Sequence, residues 1–210
     1  TASEVTAQLI PWLEDLSAAW PVGYRWELGG EYESSGKAQA SIRAELPVTA
    51  FIIAFLLVTQ FNSLRRTAII LLTIPLGLIG VMPGLLATGA TLGFMTFLGI
   101  ISLSGIIINN ALVLIDRIGL EQKENGLTPG EAVLAAGARR LRPILLTTAT
   151  TVLGMVPLWI GGGALFQSMA IAIIFGLLFA TVLTLGFVPL LYALFFRIDS
   201  SETSGAIRST

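Results

Sequence analysis

Residues 67–115 read TAIILLTIPLGLIGVMPGLLATGATLGFMTFLGIISLSGIIINNALVLI and hold no Asp, Glu, Lys or Arg. A second uncharged run, PILLTTATTVLGMVPLWIGGGALFQSMAIAIIFGLLFATVLTLGFVPLLYALFF, covers residues 143–196. One bilayer crossing needs about 20 apolar residues, so each run has room for two helices and a turn. The rest of the composition agrees. A soluble domain carries about 25% charged residues. This chain carries 12%, with 54% hydrophobic residues and a mean hydropathy of +0.84. With one more apolar stretch ahead of the first run, the sequence predicts an integral membrane protein of five spans. They cover residues 44–61, 67–88, 92–115, 143–160 and 168–196. The fifth is long enough to tilt or to extend past the bilayer.

The loops predict the orientation. Residues 62–66 carry Arg65 and Arg66, and residues 116–142 carry Arg117, Lys123, Arg139, Arg140 and Arg142. The tail opens on Arg197. The two opposite loops, residues 89–91 and 161–167, have no Lys or Arg. Positive charge is retained on the cytoplasmic side. The arginine-bearing loops and the C-terminus are therefore expected inside, and the N-terminal segment outside. Within the inner loop, Thr128-Pro129-Gly130-Glu131 has the form of a capping box with Pro at the first helical position. Residues 129–142 then read as a cytoplasmic amphipathic helix with a cationic end, which suits a helix C-terminus.

Residues 1–43 are the sizeable polar part. Val5, Leu9, Trp12, Leu13 and Leu16 recur at helical spacing, predicting an amphipathic helix over 3–19 that is interrupted by Pro11. Residues 22–28 alternate, with Val22, Tyr24 and Trp26 on one face, and read as a strand ended by Gly29-Gly30. One helix and one strand cannot close a core. The segment is therefore expected to be an α/β remnant of a larger external domain. The chain also starts at Thr1 without Met and carries no secretory signal, which is expected of a piece whose start lies upstream.

Several function classes are excluded by residue inventory. The chain has no Cys and no His, which removes thiol nucleophiles, imidazole bases, disulfides and Cys or His metal sites. The spans hold no carboxylate to pair with their many hydroxyls, so no nucleophile can be given a base, and no enzyme is expected. No cofactor or metal site is expected either. The net charge is −1 and there is no basic stripe with interleaved aromatics, so no nucleic-acid partner is expected.

Polar groups in hydrocarbon need partners, so they mark helix contacts or a transport path. The third span holds Ser102, Ser104, Asn109 and Asn110. Ser102, Gly105 and Asn109 share one helix face. Asn109 and Asn110 point about 100° apart, so one contact surface rarely needs both. The fourth span opens with Thr147, Thr148, Thr150 and Thr151. Arg140 and Thr147, seven apart, share a face if one helix runs through Pro143. For all of these, helix packing and a transport role are both open. Asp116 reads as a solvated helix-end charge. Pro75, Gly77, Gly80, Pro83, Gly84, Gly154, Pro157, Gly186 and Pro189 suit close packing or bending of the spans.

Four runs carry a resemblance. GIIINNALVLID (105–116) resembles the tenth transmembrane helix of the resistance-nodulation-division (RND) efflux permeases, the AcrB-like family. RRLRPILLTT (139–148) resembles the entry to the eleventh, and Pro75-Leu76-Gly77 the ninth. PVGYRW (21–26) resembles the last strand of the periplasmic porter region. The resemblance covers nearly the whole chain, in order, up to Asp199. It implies the eighth to twelfth helices of a bacterial inner-membrane permease, completed by an N-terminal half. Such permeases are trimers that export drugs, other amphiphiles or metals by proton influx. They work with a periplasmic adaptor and an outer-membrane channel. The resemblance also implies a coupling site. The family's relay joins two acids of the fourth helix to a Lys, an Arg and a Thr. The last two fall on Arg140 and Thr147. The Lys position is Asn109 here, and an amide hydrogen-bonds a carboxylate without supplying a counter-charge. Asn109, Asn110, Arg140 and Thr147 are thus the expected coupling residues, facing acids of the other half. The alternatives are a related transporter of a metal ion, lipid or polypeptide, and a membrane assembly subunit without transport of its own.

Overall fold

The computed structural model describes residues 2–21 and 23–196. Val22 and the tail 197–210, including Arg197, lie outside the described residues. Among the described residues seven helical segments follow one another: α1 (Ala2–Ser17), α2 (Glu31–Phe61), α3 (Leu64–Leu72), α4 (Ile74–Thr88), α5 (Phe94–Glu124), α6 (Pro129–Gly161) and α7 (Gly163–Phe196). Five stretches among the described residues are long and apolar enough to cross a membrane: Ser35–Phe61, Leu64–Thr88, Phe94–Glu124, Pro129–Gly161 and Leu165–Phe196. The chain divides into two compact units, at Ile53–Ala54, within α2.

In the first unit α1 runs through Pro11, and its apolar stripe of Val5, Leu9, Trp12 and Leu16 is exposed. The expected strand over 22–28 is not formed: residues 24–29 are irregular, and no strand occurs among the described residues. An alternating sequence becomes a strand only where a neighbour accepts its backbone hydrogen bonds, and no sheet partner is present here. The α/β character expected for this segment is thus not shown: among the described residues it is helix and irregular chain. α2 begins at Glu31, well before the apolar stretch, because Glu33 pairs with Lys37 one turn on and supports a polar first half.

The second unit is a helix bundle in which α7 packs against α3, α4, α5 and α6. The span over 64–88 is broken at Thr73. Pro75 has no N–H to continue the ladder. The Thr73 N–H and hydroxyl both turn back to the Ile70 carbonyl, at 3.1 and 2.6 Å. α4 ends on Gly89, left-handed at φ 66°, whose own and following N–H groups close on Leu86 and Leu85. Val81, Leu85, Leu103, Ile107, Ile171, Ala172, Leu177 and Ala180 form the apolar core among α4, α5 and α7. Two glycines let α4 and α7 approach closely. Gly80 and Gly84, one turn apart on α4, lie against Phe179 and Phe175, one turn apart on α7. A methyl at Gly80 would stand 3.0 Å from the Phe175 carbonyl oxygen.

The 129–142 surface helix and the fourth span are one continuous helix, α6. Its capping box is formed: Glu131 N–H donates to Thr128 Oγ1 at 3.4 Å, and Thr128 N–H donates to Glu131 Oε2 at 3.0 Å. Gly162 alone separates α6 from α7, which makes them a tight hairpin.

Candidate functional site

α5 is an apolar helix whose faces differ in polarity. Leu103, Ile107, Ala111, Leu114 and Ile118 are buried at helical spacing. The opposite side carries Ser102, Gly105, Asn109 and Asp116, and all four are exposed. A Cβ at Gly105 would meet nothing within 4 Å. The adjacent amides separate as their angular spacing requires: Asn110 is buried at 7% exposure, while Asn109 opens outward. Among the described residues, Asn109 makes no side-chain hydrogen bond.

α6 carries a matching stripe. The helix is continuous through Pro143, which places Arg140 and Thr147 on one face. Thr147 is exposed, and its hydroxyl donates to the Pro143 carbonyl at 2.9 Å. That bond satisfies the hydroxyl proton and leaves the oxygen free to accept another. Thr150 is exposed and bonded back to Leu146 and Thr147 in the same way. Gly154, seven residues beyond Thr147, is open. Arg140 is half-buried, and its Nε is fully enclosed without a hydrogen-bond partner. A buried guanidinium donor normally has one. Asn109, Asn110, Arg140 and Thr147 are not joined by side-chain hydrogen bonds among the described residues. α5 and α6 pack against each other, so the two stripes belong to neighbouring helices.

The neighbouring threonine does something different. Thr148 is buried and meets Thr181 of α7 at 2.8 Å. Thr181 donates its own proton to the Leu177 carbonyl at 2.7 Å, which makes Thr148 the donor between them. Here the packing role holds: one hydrogen bond fastens α6 to α7.

One charged cluster was not signalled as a site by the sequence reading. Glu121, at the end of α5, is fully buried. Arg117 donates to it from Nε at 2.8 Å and lies 2.7 Å away through Nη2, and Arg139 of α6 reaches it at 3.1 Å. The Asn125 side chain donates to its second oxygen. The backbone N–H groups of Asn125 and Leu127 close on its carbonyl. A buried carboxylate is tolerated only with such partners. The signal was present in the sequence, since Glu121 continues the buried stripe of Ile107, Leu114 and Ile118 by one turn. Beside it, Arg66 of α3 lies over Gly119, and Arg65 stands 6.0 Å from the Phe196 ring of α7. The arginines of α3, α5 and α6 thus gather at one end of the bundle, where α7 also ends.

Known proteins place this arrangement. The swarming motility protein SwrC of Bacillus subtilis (strain 168) is 37% identical over 145 residues, which are 67% of this chain and 14% of that protein. Two crystal forms of a heavy metal efflux pump superpose on 91% of the chain. Their TM-scores are 0.72 and 0.69, at 29% and 28% identity, and the chain covers 20% and 19% of each. The chain therefore spans a fifth or less of the relatives it matches. The sequence pattern of the AcrB/AcrD/AcrF family fits residues 3–196. The chain belongs to the AcrB/AcrD/AcrF family and is part of a multi-pass membrane permease of the resistance-nodulation-division superfamily.

Proposed function

We propose that this chain forms the eighth to twelfth membrane helices of an inner-membrane exporter driven by proton influx. The carrying observation is the pair of open polar stripes, Asn109 on α5 and Arg140 with Thr147 on α6. Polar and charged side chains on membrane helices are costly unless they meet a partner. In this reading the partners are the acids of the permease's N-terminal half. Protonation of those acids weakens their attraction to the Arg140 guanidinium. That change gives the two halves a reason to shift on each proton cycle. Asn109 hydrogen-bonds the acid in either protonation state, as carbonyl or as amide donor, but adds no counter-charge. Arg140 is then the sole fixed cation among the four, and the coupling depends on it more than on Asn109. Asn110, on the packed side, sets the α5 face that presents Asn109.

The cargo in this reading is a drug or other amphiphile. A metal ion is the second reading, favoured by the likeness to heavy metal efflux pumps. The reading further places the arginine-bearing end and the C-terminus in the cytoplasm and the N-terminal segment in the periplasm. The permease is a homotrimer working with a periplasmic adaptor and an outer-membrane channel. The test uses the full-length permease. Arg140→Ala is expected to abolish most efflux with normal membrane insertion, and Asn109→Ala to weaken it. Undiminished efflux from Arg140→Ala would instead favour an assembly subunit or a different coupling site. Parallel drug and metal efflux assays separate the two cargo readings.

A further inference from the structure

The Glu121 cluster lies outside the two stripes, yet it grips the residue beside Arg140. Arg139 and Arg140 are consecutive, so their side chains leave α6 about 100° apart. A rotation of the helix by that angle would exchange them. The local sequence does not choose between two adjacent arginines. The structure does: Arg139 reaches Glu121 at 3.1 Å, and Arg140 turns to the other side with its Nε enclosed and unpartnered. The choice is made at a weak point of the helix. Pro143 has no N–H to return to the Arg139 carbonyl, so α6 lacks a backbone bond between the grip and Thr147. Glu121 is itself held firmly, by Arg117, by the Asn125 side chain and by the closed turn at Asn125 and Leu127. It is a fixed post on α5 against which α6 is set.

We propose that Glu121 is a positioning residue for the coupling site: by holding Arg139 it fixes the rotation of α6 ahead of Pro143 and commits Arg140 to the face shared with Thr147. This rests on Arg140 being a coupling residue.

The experiment uses the full-length permease with cysteines elsewhere replaced; this segment has none of its own. Arg140→Cys is labelled with a small charged methanethiosulfonate. Glu121→Gln and Arg139→Gln are each expected to raise the labelling rate on the order of tenfold, the shift that follows loss of one charge-assisted hydrogen bond from a buried site. Lys123→Gln, which removes an exposed α5 cation that makes no contact with Glu121 among the described residues, should leave the rate near its starting value. A rate unmoved by Glu121→Gln overturns the proposal. An equal rise from all three overturns it too, since that is general loosening of the helix ends. Transport is read in the same permease with Arg140 intact. Glu121→Gln should lower the turnover rate and leave the KM for cargo unchanged. If Arg140→Ala transports normally, the coupling reading fails, while the labelling result still decides whether Glu121 sets the helix.

Discussion

Gly84→Ala tests the close packing of α4 against α7. The added methyl would stand 2.6 Å from Phe175 Cγ and 3.0 Å from its Cδ2. Carbon atoms pack at about 3.5–4.0 Å, so α4 and α7 must part by roughly 1 Å. No rotamer relieves this, because the nearest Phe175 atom is its Cβ, fixed to the backbone. Overpacking costs about 1–3 kcal/mol, and a clash against backbone-fixed atoms belongs in the upper part, about 2–3 kcal/mol. Alanine also gains about 1 kcal/mol over glycine in a helix, so a matched control is needed. Gly137 of α6 is helical, and a Cβ there meets nothing within 4 Å. Gly137→Ala collects the helix gain without the clash. The difference between the two variants should therefore be about 2–3 kcal/mol. Unfolding of the full-length permease by SDS in mixed micelles reads it. Phe175 also packs edge-on against Trp159, at 6.1 Å between ring centroids, so Trp159 fluorescence should shift in Gly84→Ala. Variants that unfold within about 0.5 kcal/mol of each other would refute the reasoning.

Further predictions concern single contacts. Thr148→Val and Thr181→Val should each destabilise by about 0.5–1.5 kcal/mol, the range for interhelical hydrogen bonds in membranes. The double variant should cost less than their sum, and strict additivity in the same SDS titration would deny the bond. Thr128→Ala should remove about 1 kcal/mol from the first turn of α6. Amide exchange over residues 130–132 should then rise, while Thr128→Ser stays near wild type. Unchanged exchange in Thr128→Ala would mean that the capping box holds nothing in place.

The membrane helices were legible because hydrocarbon imposes a strict rule: charges stop where spans begin. The uncharged runs at 67–115 and 143–196 each hold two spans' worth of helix, and the structure fills them so. The capping box at Thr128 was legible because its two hydrogen bonds are local. The failures were matters of tertiary context. Alternation over residues 22–28 looks like a strand, but a strand needs a neighbour that the sequence window cannot supply. The join between the 129–142 helix and the fourth span was hidden by Pro143, which marks a boundary in water yet sits inside a continuous α6. At the site, spacing placed Arg140 and Thr147 on one face only on the condition that one helix runs through Pro143, which α6 meets. The division of labour between Asn109 and Asn110 could not, because it depends on which side α7 covers. Glu121 drew no reading of its own inside the 116–142 loop, although it continues the apolar stripe of α5 and has Arg117 one turn before it.

The most direct test of the central claim is proton flux through the full-length permease reconstituted in vesicles with an imposed pH gradient. Cargo added to the wild-type protein should speed proton movement. Arg140→Ala, inserted at the same level, should abolish that acceleration, and Asn109→Ala should only reduce it. Cargo transport without proton movement, or cargo-stimulated flux that survives Arg140→Ala intact, would contradict the account.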